Sequence, residues 1–181
     1  MRLTIISLSV VLLISIAANI CIFRQGKDFY LRLNAVRLDP LGLAYYPGTD
    51  GKQDHLFSDQ RTVVFFGTSR ANHWSYPTGL NGFRFINRGI DNQTSAQVLR
   101  RFDYHIRPLK PDIIILVVGG NDLKTIPLFP HRKESIVENC KSNIAEIVSE
   151  SLNMGAAVIL TTIFPTGEIP LTRRPFWSAE V

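Results

Sequence analysis

The chain has 181 residues, 45% of them hydrophobic and 19% charged, with a formal net charge of +5. That length suits one membrane segment and one modest globular domain. The excess charge is scattered, with no basic block interleaved with aromatics, so a nucleic-acid interface is not expected.

Residues 4–23 carry no charge, and at about 1.5 Å per residue they reach across the ~30 Å core of a bilayer. Arg2 precedes the run, and Arg24 and Lys27 follow it. Ser15-Ile16-Ala17 offers a small-x-small cleavage site, but the apolar run continues past it, which favours an uncleaved anchor over a signal peptide. Either reading sends the rest of the chain out of the cytoplasm, anchored to the membrane or, if the segment is cleaved, secreted. Cys21 lies in this run and Cys140 in a predicted helix, so no disulfide is expected.

Residues 1–25 are therefore read as the anchor, and 26–60 as a juxtamembrane helix and entry loop. Phe29, Leu33 and Val36 recur at helical spacing, and Asp39-Pro40 ends the helix. From residue 61 a βαβαβαβ order is predicted. Strands are expected at Thr62–Phe66, Arg84–Asn87, Ile113–Val118 and Ala157–Ile163, and helices near Ser69, over Thr94–Ile106 and over Lys133–Met154. Continuous apolar strands alternating with helices indicate a parallel sheet covered on both faces.

The chemistry falls at the carboxyl ends of these strands, where open α/β sheets form their sites. Gly67-Thr68-Ser69 puts a hydroxyl at a helix start, beside free backbone N–H groups. Gly89 lets a second backbone N–H come close to a bound oxygen, and Asn121 offers a neutral amide to the same oxygen. Each feature alone also reads as a cap or a turn. Three in order point to acyl transfer. Gly67-Thr68-Ser69-Arg70 lacks the lysine and glycine spacing of a phosphate loop.

Gly67-Thr68-Ser69, Gly89 and Gly119-x-Asn121-Asp122 together resemble the first three blocks of the SGNH hydrolases, also called GDSL-type esterases and lipases. The stretches Asn121–Pro130 and Thr161–Pro165 resemble the family's bacterial, membrane-anchored branch. The resemblance implies a flavodoxin-like three-layer α/β/α fold with strand order 2-1-3-4-5, of which four strands are legible here, and no cofactor or metal. It implies Ser69 as nucleophile, and the Ser69 and Gly89 N–H groups with the Asn121 side chain as oxyanion hole. Thr68 stands where the name-giving motif has aspartate. The substrate would be a small ester, an acylated lipid or an acetylated envelope sugar.

The family's last block, an aspartate three residues before the base histidine, has no counterpart up to Val181. The expectation is an incomplete hydrolase, weakly active or inactive, over residues 61–181. The alternative is a non-catalytic, membrane-tethered binding module that keeps the oxyanion pocket. Of the other histidines, His73 and His131 are weak candidates for a replacement base, and His55 and His105 read as structural or exposed.

Overall fold

The structure is a computed structural model of the chain, and it describes residues 2–47, 59–163 and 171. His55 lies outside the described residues. Two compact units divide at Pro40.

The first unit is one helix, α1 (Arg2–Leu38), long and apolar enough to cross a membrane. An anchor followed by a second helix was expected. The two are continuous because an interior glycine, here Gly26, costs only about 1 kcal/mol against alanine and no proline interrupts the run. Pro40 lies just beyond the helix and cannot extend it.

In the second unit the elements in chain order are β1 (Arg61–Gly67), α2 (Ser69–Asn72), β2 (Phe83–Gly89), α3 (Ser95–Arg100), α4 (Phe102–His105), β3 (Ile113–Val117), α5 (Gly120–Leu123), α6 (Lys133–Asn153) and β4 (Ala157–Leu160). The strands form a parallel sheet in the order β2-β1-β3-β4, as expected for a flavodoxin-like arrangement. Gly67 pairs with Gly89 on one side and Val117 on the other, so the three site-bearing strand ends lie level across the sheet.

Side chains alternate across β1. Val64 and Phe66 enter a core with Val98, Phe102, Ile106, Ile114, Leu116 and Ile147, and Phe65 enters a smaller cluster with Ala71 and Val117. This double burial explains why β1 and β3 read as unbroken apolar runs.

Most boundaries shift by one or two residues, and two larger differences have a local cause. The helix predicted over Thr94–Ile106 breaks at Arg101, whose φ of −96° and ψ of 5° leave the helical region, so α3 and α4 are separate. Strand β4 stops at Leu160 rather than Ile163. Thr161 N–H still bonds the Leu116 carbonyl, but the Thr161 hydroxyl reaches the same oxygen, and such a local bond competes with the ladder.

Candidate active site

At the end of β1, Gly67 adopts a φ of +146°, and a Cβ there would lie 1.9 Å from the Val117 carbonyl oxygen. Only glycine fits this close approach. Thr68 N–H donates to that same Val117 oxygen, and α2 then starts at Ser69. Ser69 is half-buried, and its hydroxyl has no hydrogen-bond partner among the described residues. Its N–H belongs to the first turn of α2, outside the helix's own ladder.

Ser69 opens on a cleft of about 70 Å³ that is also lined by Thr68, Val118, Gly120, Asn121 and Thr162. The ends of β1 and β3 and the start of α5 thus bring Ser69 and Asn121 to one space. Arg70 and Lys124 line the same cleft, so its charged lining groups among the described residues are both cationic. The Asn121 amide is held in place, since Nδ2 donates to the Gln93 carbonyl at 2.8 Å. One proton of that amide is engaged and one is left to direct into the cleft.

Gly89 is not among the residues lining the cleft. Its N–H donates to Asn87 Oδ1 at 2.8 Å, while Asn87 Nδ2 donates to the carbonyls of Ala71 and Asn72. A Cβ at Gly89 would lie 2.1 Å from the Asn72 nitrogen, so this glycine is required for β2 to pack against α2. Tyr46 Oη donates to the Gly89 carbonyl at 2.6 Å, and the Arg88 guanidinium lies over the Tyr46 ring. Burial pushes the Tyr46 phenol above its ordinary value, which keeps it a donor.

No histidine lines this cleft among the described residues. His73 follows α2, exposed, with Nε2 3.2 Å from Asp91 Oδ2, and Asn72 Nδ2 holds the other Asp91 oxygen. His73 lines a separate open groove with Arg70, Trp74 and Ser75. His131 is exposed on the turn before α6. His105 is buried rather than exposed, packed edge-on against Tyr46 and bonded to Arg101.

Asp122, adjacent to Asn121, is structural. Its carboxylate accepts from the Ser95 N–H at 2.9 Å and from the Ser95 hydroxyl at 2.6 Å, capping α3 from across the fold. Cys140 is buried nearby. Desolvation first, and then the charge of Asp122, raise its thiol above the ordinary value, so it stays protonated and unreactive at neutral pH.

Sequence reasoning missed Arg101, Gln93 and Asn87, which hold the site from behind. A signal for Arg101 was present. Val98, Arg101, Phe102 and His105 follow the i, i+3, i+4, i+7 spacing of one helical face, which aligns the arginine with the apolar side.

Residues 49–181 match the model of the GDSL-like lipase/acylhydrolase family. The comparison with curated proteins finds no match. Among solved structures, the chain is similar to a GDSL-like lipase from Bacteroides thetaiotaomicron, at 25% identity and a TM-score of 0.49, over 73% of this chain and 60% of that one. It is also similar to a catalytic mutant of an acetylxylan esterase from Geobacillus stearothermophilus, at 21% identity and a TM-score of 0.46, over 55% of this chain and 58% of that one. The chain therefore spans about three fifths of the length of these structures.

Proposed function

Because the chain belongs to the GDSL-like lipase/acylhydrolase family, we propose that it is a serine esterase that hydrolyses an acyl or acetyl ester through an acyl-serine intermediate. The observation that carries this reading is the shared cleft of Ser69 and Asn121, with the Asn121 amide fixed by the Gln93 carbonyl.

In this reaction Ser69 Oγ attacks the ester carbonyl carbon and gives up its proton. The developing oxyanion takes hydrogen bonds from the Ser69 N–H and the free Asn121 amide proton. Such preorganised donors are the largest single contribution in many acyl transfers. The alcohol then leaves with a proton, and water cleaves the acyl-serine. For Gly89 to be the third donor, its 2.8 Å bond to Asn87 has to be exchanged or shared.

A serine without a base is a poor nucleophile. No histidine lines the described cleft, so slow turnover is expected of this chain. His73, oriented by Asp91, and His131 are the replacement bases on offer. The same observation favours a second reading, a membrane-tethered module that binds an acylated ligand without turning it over. We place the cleft on the extracytoplasmic side, with α1 as the tether. Acylated lipids or acetylated envelope sugars are then the substrates within reach.

The test is hydrolysis of p-nitrophenyl acetate and butyrate by the wild type and Ser69→Ala. Turnover that falls to background in Ser69→Ala supports the esterase. Turnover that survives the substitution removes Ser69 as nucleophile, and none in either protein favours the binding module.

A further inference from the structure

Arg101 is fully buried, yet among the described residues no carboxylate bonds its guanidinium. Burying an unpaired charge costs several kcal/mol, so a guanidinium retained there is tied to something. Its Nη2 donates to the Gly67 carbonyl at 2.8 Å and to the Arg88 carbonyl at 2.9 Å. Its Nε donates to Gln93 Oε1 at 2.6 Å, its Nη1 lies 3.2 Å from His105 Nδ1, and its plane covers the Phe66 ring.

The places it touches are not scattered. Gly67 precedes the Thr68-Ser69 turn, Arg88 precedes Gly89, and the Gln93 backbone carbonyl holds the Asn121 amide. One rigid planar fork therefore backs all three donor-bearing segments at once. Lysine, a single point donor on a flexible stem, cannot reproduce that geometry.

We propose that Arg101 is the positioning residue of the oxyanion site, locking the ends of β1 and β2 and, through Gln93, the Asn121 amide. This rests on the esterase reading above. The arginine never touches the substrate. It sets where the donors point, and misplacement by about 1 Å is enough to cost on the order of 100-fold in rate. Burial pushes its pKa down to about 9, so it still holds its charge, and its donors, at neutral pH.

The test uses the full chain in detergent micelles, with Arg101→Met, Arg101→Lys and, as control, the exposed Arg107→Gln. Two readouts are taken: kcat and KM for p-nitrophenyl acetate, and the Asn121 side-chain amide resonance in a ¹⁵N–¹H spectrum. Arg101→Met is expected to lower kcat about 10- to 100-fold with KM within about two-fold, the pattern of a lost transition-state interaction. Arg101→Lys should recover part of kcat. Both should shift the Asn121 amide, and Arg107→Gln should change neither readout.

Arg101→Met with wild-type kcat, or with an unmoved Asn121 amide, overturns the proposal. If Arg101→Met does not fold, Arg101→Lys carries the same readouts. Failure of both to fold assigns Arg101 a purely structural role and also overturns it. A wild type without hydrolysis defeats the esterase reading, and the Asn121 amide alone then decides the positioning role.

Discussion

The two flanks of the sheet are built differently. On the β2 flank, Tyr46 holds the Gly89 carbonyl, Gln93 Nε2 holds the Leu41 carbonyl, and Arg101 joins the ends of β1 and β2. Nearly every polar group behind the site is engaged there. On the other flank β4 is four residues long and pairs with β3 alone among the described strands. Ile159 is 53% exposed and Leu160 is 50% exposed. The proposed donor-bearing segments are thus held from one side of the sheet. The β4 side only walls the cleft, through Thr161, Thr162 and Ile163.

Substitutions on the two flanks should therefore diverge, most of all in catalysis. Asn121→Ala is expected to lower esterase kcat by about 100- to 1,000-fold, the cost of one oxyanion donor. Thr162→Ala, in the opposite wall, should stay within a few-fold, and steady-state kinetics on both variants compares them. Equal losses would mean that β4 contributes a donor of its own.

Next in size is stability. Ile106 is fully buried in the core with Phe66 and Phe102, and Ile106→Ala should cost about 2–5 kcal/mol in urea unfolding. Ile159→Ala on exposed β4 should change stability by no more than about 0.5 kcal/mol. A large loss at Ile159 would show that β4 is packed as tightly as the β2 flank.

The smallest effect is at Tyr46. Tyr46→Phe removes one hydrogen bond and should cost about 1 kcal/mol. Its pH dependence has a definite sign. The folded phenol is raised above its ordinary 10.0, so the stability it contributes is full below that value and falls as pH rises beyond it. Chemical denaturation at pH 8 and pH 11 should therefore show a shallower alkaline loss in Tyr46→Phe than in the wild type.

The architecture was legible in the sequence because parallel strands buried on both faces leave unbroken apolar runs, as at Val63–Phe66 and Ile113–Val117. The meeting of Ser69 and Asn121 in one cleft was legible because Gly67 and Asn121 mark turns at strand ends. What holds them was harder to read. Arg101 is tied to the carbonyls of Gly67 and Arg88, and backbone acceptors leave no trace in residue identity. Asn87 took the Gly89 N–H, a bond two residues back that no spacing rule announces. The Arg101 break in the helix expected over Thr94–Ile106 was equally invisible, since no glycine or proline marks it.

The proposed esterase activity stands on Ser69 as nucleophile facing a preformed oxyanion site. The most direct measurement is reaction of the full chain with a p-nitrophenyl alkylphosphonate, followed by intact mass and peptide mapping. Attack by Ser69 Oγ on phosphorus would release p-nitrophenolate and leave one phosphonyl adduct. The account predicts a single adduct on Ser69, formed more slowly in Asn121→Ala. No adduct, or one carried by another residue, would contradict it.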